Sequence, residues 1–205
     1  MIKRKIYTRN LALDENIVQR WRNSDVVLLG GSAGSFQLIF RATRAFTSKL
    51  DKAVVIIIHR KRNFHSEIEE IFAGNMEIKF KEVSDKEPIK KNTVYIAPPN
   101  YHTLIEKGGY FSLDVSDDVW YSKPSIDVTF ESAGDVYCER CTAILLSGAN
   151  QDGAEGLLKL RGCGALTIVQ DPEDAEMTQM PDAAILINAA EYVLSSTDIL
   201  QLLKT

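Results

Sequence analysis

Val26-Val27-Leu28-Leu29 runs without a break into Gly30-Gly31-Ser32-Ala33-Gly34, and an amphipathic stretch follows at once. An apolar run, a glycine turn and a helical period spell strand, sharp turn and helix. The turn has the spacing G-x-S-x-G, which holds a serine hydroxyl exposed at the carboxyl end of a strand. Glycines admit backbone conformations closed to other residues and keep side chains clear of a substrate. The first N–H groups of the next helix are unpaired and point at the same spot, where a developing negative charge gains from them. A phosphate-binding turn has the same outline, and detail separates the two. Ser32 stands where a dinucleotide fingerprint needs its second glycine, and no Lys-Ser/Thr pair follows the turn. The second strand, Ala53-Val54-Val55-Ile56-Ile57-Ile58, ends in His59 instead of the acidic residue that would hold a ribose. A base in that place suits a serine nucleophile.

The chain has 205 residues, a formal net charge of -4 and 45% hydrophobic residues. A chain of this size buries roughly 70% of its unfolded surface, enough for one core. Mild acidity argues against nucleic acid as a partner, which calls for a basic face. No apolar run reaches the roughly 18 residues of a bilayer span, so no membrane insertion is expected. The basic start Met1-Ile2-Lys3-Arg4-Lys5 has no apolar region behind it to make a signal peptide, and the expected location is cytoplasmic. Cys138-Glu139-Arg140-Cys141 is a C-x-x-C, but zinc wants four ligands and Cys163 is the only other cysteine. The three read as free thiols, with no metal and no organic cofactor implied.

Strands and helices alternate at first: strand 25–29, helix 35–45, strand 53–58, helix 65–73. The continuous Val/Ile/Leu runs are apolar on both faces, as in parallel strands covered by helices on each side. Segments 78–83, 93–97, 103–106 and 110–113 are short strands, the last two joined by the turn Lys107-Gly108-Gly109, and together they read as an antiparallel edge. A helix over 125–137, strand 142–146, helix 154–161 and strand 165–169 return to the parallel pattern. The expected fold is therefore α/β: a doubly wound, mostly parallel sheet with helices on both faces and a small antiparallel edge hairpin. Residues 1–24, with Arg20, Trp21 and Arg22, read as an N-terminal extension that forms an extra helix or simply packs on the surface, and 25–205 as the main domain.

A third strand also ends in chemistry. Ile144-Leu145-Leu146 leads into Ser147-Gly148-Ala149-Asn150-Gln151-Asp152-Gly153. Loops at the carboxyl ends of neighbouring parallel strands converge on one crevice. Ser32 as nucleophile, His59 as base and Asp152 as the acid orienting the imidazole can meet there. Locally, Asp152 reads equally well as the N-cap of the helix that follows. His65 reads as a surface residue, and His102, after Pro98-Pro99, as a packing or hydrogen-bonding one.

These residues resemble the catalytic domain of the chemotaxis receptor protein-glutamate methylesterases, from about Asp25 to the end of the chain. The glycine-serine turn and His59 match that family. Tyr95-Ile96-Ala97-Pro98 with His102 is similar to its Y-I-A-P-G-x-x-H, and Pro124-Ser125-Ile126-Asp127 to its P-S-V-D. Residues 146–154 resemble its L-T-G-M-G-x-D-G-A, and Met180-Pro181 with Ala183-Ala184-Ile185 its M-P-x-x-A-I. There are departures: Ala33 follows Ser32 where the family has threonine, and Ala149 replaces a methionine. His59-Arg60-Lys61 stands for H-M-P, and Ser122-Lys123-Pro124-Ser125 for H-R-P-S.

The resemblance implies a serine esterase with the triad Ser32, His59 and Asp152. It would hydrolyse glutamate γ-methyl esters on a methylated chemoreceptor-like protein and could deamidate receptor glutamines by the same intermediate. The N–H groups of Ala33 and Ala149 are the expected oxyanion donors. The alternative is a non-catalytic or re-targeted binding module that keeps the fold. Residues 1–24 are too few for the family's receiver domain. Control is expected from a separate receiver protein or from direct docking on the receptor; Lys3, Arg4, Lys5 and Arg9 read first as a solvated tail and second as a candidate contact for an acidic partner.

Overall fold

The structure is a computed structural model that describes residues 13–47, 50–60, 71–72, 74 and 77–205. Most of the helix expected over 65–73, together with His65 and the basic segment from Lys3 to Arg9, lies outside the described residues.

Seven parallel strands form the main sheet. They are β1 (Val26–Gly31), β2 (Ala53–Ile58), β3 (Lys79–Glu82), β4 (Thr93–Ile96), β7 (Cys141–Leu145), β8 (Leu166–Gln170) and β9 (Tyr192–Leu194), in the order β3-β4-β2-β1-β7-β8-β9. β1 lies between β2 and β7, with Gly31 opposite Ile58 and Gly30 opposite Leu145. The glycine turn is thus flanked by the ends of the other two strands singled out in the sequence.

The strands are apolar on both faces because both faces are covered. Val26, Leu28, Val55, Ile57, Ala143 and Leu145 face one cluster, which includes Phe130, Leu157 and Met180. Those three come from α3 (Ile126–Gly134), α4 (Ala154–Gly162) and α5 (Gln179–Leu186). Val27, Leu29, Val54, Ile56 and Ile144 face the other cluster with Ile17, Ile39 and Leu202. These belong to α1 (Glu15–Asn23), α2 (Phe36–Thr43) and α6 (Ser196–Leu202). Alternation of side chains along each strand divides the core between the two sides.

Two local expectations change. The first two of the four short middle strands, β3 and β4, pair parallel within the main sheet. Only β5 (His102–Glu106) and β6 (Tyr110–Asp114) are antiparallel, and they form a separate two-stranded sheet. Parallel neighbours need a crossover. Here residues 83–92 supply it, running against the hairpin with Ile89 N–H bonded to Gly109 O at 2.8 Å and Phe111 N–H to Glu87 O at 2.9 Å.

The second change is at the N-terminus, where α1 is a core helix. Asp14 caps it by accepting from Ile17 N–H at 2.8 Å. Ile17 and Trp21 are buried, Trp21 to 2% exposure, while Arg20 reaches Glu191 at 2.5 Å. The helix therefore packs as part of the sheet's own core, not as an appendage on its surface. Beyond β8 the chain continues with α5, β9 and α6, and β9 ends the sheet.

Candidate active site

Ser32 follows directly on β1 and is half-buried. Its N–H donates to Ser147 O at 2.9 Å, and His59 N–H donates to Gly31 O at 3.3 Å. The serine turn is thereby fastened to the ends of both neighbouring strands. Ser147 Oγ donates to Ala33 O at 2.8 Å and accepts from Met177 N–H at 2.9 Å, while Ser35 Oγ closes on Ser32 O at 2.7 Å. At Gly34 the backbone has φ +80, and an added Cβ would lie 2.5 Å from Glu176 Cβ and 2.6 Å from Ser147 Oγ. Only glycine fits there, both in conformation and in space.

His59 Nε2 lies 2.8 Å from Asp152 Oδ2. Asp152 is fully buried and sits on the first turn of α3. Its Oδ1 accepts from Ser125 Oγ at 2.8 Å and Asp127 N–H at 3.0 Å; its Oδ2 accepts from Ile126 N–H at 2.8 Å. Burial works to raise its pKa, but the bonds from His59 and from the N–H groups of Asp127 and Ile126 hold it below the ordinary carboxylate range. The carboxylate caps α3, which is distant in sequence, and not the helix after it. α4 starts instead at Gly153, with φ 92 and no side-chain cap.

An ionised Asp152 can only accept, so Nε2 of His59 carries the proton and Nδ1 a lone pair. That lone pair faces Ser122, whose Oγ is 3.1 Å from Nδ1. Among the described residues the Ser32 hydroxyl makes no hydrogen bond. The structure brings His59 and Asp152 into contact and puts Ser32 at the end of the adjacent strand, with Ser122 on the ring nitrogen expected to face Ser32. Ala33 and Ala149 are both exposed, and among the described residues their N–H groups have no hydrogen-bond partner.

Beneath this pair lies a second carboxylate. Asp127 Oδ1 accepts from Gly156 N–H at 2.8 Å and Oδ2 from Trp120 Nε1 at 3.1 Å. Burial, and secondarily the charge of Asp152, push its pKa up to about 7. An added Cβ at Gly156 would lie 2.8 Å from Asp127 O, so glycine lets α4 pack against α3 at this point. His102 is buried and structural: Ser125 N–H donates to its Nδ1 at 3.1 Å, and its Nε2 is 2.9 Å from Asp117 O. The roles of Ser122, Ser125, Trp120 and Asp127 were invisible to local reading. The only signal was that Ser122, Ser125 and Asp127 fall within or beside family-like motifs.

Cys138, Cys141 and Cys163 are all free, and burial pushes the Cys141 thiol up and Cys163 up to about 11. Among the described residues no helix is long and apolar enough to cross a membrane.

The model of the CheB methylesterase family matches residues 27–203. The chain belongs to the CheB methylesterase family. A relative from Leptospira interrogans is 40% identical over 180 residues, covering 88% of this chain and 93% of that protein. The protein-glutamate methylesterase/protein-glutamine glutaminase of Symbiobacterium thermophilum is 30% identical over 169 residues, covering 82% of this chain and 47% of that protein. The crystal structure of the Thermotoga maritima CheB methylesterase catalytic domain superposes with a TM-score of 0.83 at 27% identity, covering 88% of this chain and 97% of that one. The CheB-like chain thus spans nearly all of the first relative and about half of the second.

Proposed function

We propose that this CheB-family chain hydrolyses glutamate γ-methyl esters on a chemoreceptor-like protein through a triad of Ser32, His59 and Asp152. Ser32 Oγ attacks the ester carbonyl carbon while its proton passes to the lone pair on His59 Nδ1. The N–H groups of Ala33 and Ala149 receive the oxyanion. Collapse breaks the bond to the methoxy oxygen, which takes the proton from His59 and leaves as methanol. Water then attacks the acyl-enzyme and gives a proton to His59, which passes it to Ser32 Oγ as the serine–carbonyl bond breaks and the glutamate is freed. Asp152, held ionised by the first turn of α3, steadies the imidazolium in both halves. A glutamine side chain entering the same site would lose ammonia by the same steps.

The observation carrying this reading is the 2.8 Å bond between His59 Nε2 and the buried Asp152, one strand away from a G-x-S-x-G serine. A second reading makes Ser122 the nucleophile, because its Oγ is the one found on Nδ1. Ser32 is favoured over it because Ser32 has the unpaired N–H of Ala33 beside it and precedes α2. A binding module without catalysis would keep Asp152 to cap α3, but it would need neither His59 bonded to it at 2.8 Å nor a serine in the glycine turn of the adjacent strand. Control by a separate receiver protein, or by docking on the receptor itself, belongs to the same proposal.

Labelling with a fluorophosphonate, followed by mass mapping, tests the assignment. The adduct is expected on Ser32. An adduct on Ser122 would transfer the role to that residue, and no adduct with no methanol release from a methylated receptor would leave the binding-module reading.

A further inference from the structure

Beside His59 the chain makes a turn with unusual backbone. Trp120 and Tyr121 are consecutive residues with positive φ, 49 and 58. Non-glycine residues pay a steric penalty in that region, so a pair of them persists only where its surroundings hold it. The holding is visible. Val119 and Ser122 exchange backbone hydrogen bonds at 3.2 and 2.9 Å. The Trp120 indole N–H is on Asp127, and Trp120 O accepts from Asn150 Nδ2 at 3.1 Å and Ser122 Oγ at 3.3 Å. This scaffold half-buries Trp120 and leaves the Tyr121 ring in solvent. Tyr121 is 99% exposed, Trp120 40% and Val115, in the same segment, 72%.

The turn is also tied to the reacting groups at both ends. Ser122 is on His59 Nδ1, and Asn150 adjoins Ala149. Whatever rests on Tyr121 is therefore one residue away from the side chain that holds the imidazole. The approach is acidic: Asp117 and Asp118 are exposed immediately before the turn, with Lys123 Nζ 3.8 Å from Asp118 Oδ1.

We propose that the Trp120–Tyr121 turn is the substrate-recognition lip of this esterase, packing on the segment of the substrate protein that carries the esterified glutamate. The inference rests on the esterase reading above. A glutamate γ-methyl ester is neutral, so an aromatic surface accepts it without stripping water from a charge. The product is a carboxylate, which loses that fit and is repelled by Asp117 and Asp118. The same acidic rim favours a substrate segment with lysine or arginine flanking the ester. An exposed aromatic ring beside a reaction centre is the kind of anchor that carries much of a protein interface's energy.

The test compares two substrates on purified full-length chain: a methylated receptor fragment, read by methanol release, and the small ester p-nitrophenyl acetate. Tyr121→Ala is expected to lower the ratio of kcat/KM for the fragment to that for the small ester by about tenfold, mainly through KM. Tyr121→Phe should keep the wild-type ratio, since the ring and not the hydroxyl makes the contact. Asp117→Asn should strengthen inhibition by the demethylated fragment severalfold. An unchanged ratio in Tyr121→Ala would overturn the lip. Failure of the esterase reading looks different: the wild-type chain would release no methanol from the fragment at all.

Discussion

Ser125 Oγ donates to Asp152 Oδ1 at 2.8 Å and, as the cap of α3, accepts from Val128 N–H at 3.4 Å. The carboxylate facing His59 is thus built into a helix terminus. The bond from His59, and after it the backbone N–H groups of Asp127 and Ile126, hold its pKa down against the burial that raises it.

Replacing Asp152 therefore tests fold and chemistry together. Asp152→Ala leaves Ser125 and two buried N–H groups without their acceptor and should cost on the order of 3 kcal/mol of stability. Asp152→Asn keeps one acceptor oxygen and should cost less stability, yet still lower ester hydrolysis by roughly 10⁴-fold through the wrong imidazole tautomer. Urea denaturation and methanol release, measured on the same preparations, separate the two effects.

The two serines near His59 are expected to differ sharply. Ser32→Ala should lose at least about 10³-fold in kcat, and His59→Ala a similar amount, with the double variant no worse than either. Ser122→Ala should lose no more than about tenfold, because its hydroxyl holds the ring without reacting. Equal losses at Ser32 and Ser122 would count against this division.

Asp127 gives a pH signature. Its pKa rises from an ordinary 3.8 to about 7 on folding, so the folded state retains a proton that the unfolded state releases over that window. Its contribution to stability should be fully present below about 4, be lost as pH rises from about 4 to about 7, and level off above. Asp152 has the opposite sign, contributing stability above its unfolded value that is lost as acid protonates it. Melting temperatures of wild type and Asp127→Asn across this range should diverge in slope, the wild type declining more steeply.

Trp21 tests whether α1 belongs to the core. It is 2% exposed, and a buried tryptophan cut to alanine costs roughly 3–5 kcal/mol. Trp21→Ala should unfold at a clearly lower denaturant concentration than wild type. A shift below about 1 kcal/mol would return α1 to the status of a surface extension.

The central strands were legible because burial on both faces leaves an unbroken apolar run, as in Val26–Leu29 and Ala53–Ile58. Of the candidate site, the approach of His59 to the segment containing Asp152 was legible because both leave the ends of such strands, and so was the position of Ser32 at the end of the strand between them. What escaped depends on distance in the chain. Trp21 lies between Arg20 and Arg22, whose charges hide a buried face one turn wide. β3, Lys79-Phe80-Lys81-Glu82, alternates charge and ring as an edge strand does whether its neighbour is parallel or antiparallel, so its direction could not be read. Asp152 stands before a helix and looks like its cap, although its bonds go to α3. Ser122, which touches His59, stands 63 positions further along the chain.

Because Asp152 terminates α3 as well as facing His59, its presence answers to two separate pressures. A descendant of this chain that gave up ester hydrolysis would be free to let Ser32 or His59 drift, since neither anchors a helix. It would still be held to the aspartate by the need to fold. In a related sequence the carboxylate alone is therefore poor testimony to activity, and the serine and the histidine are the residues to look for.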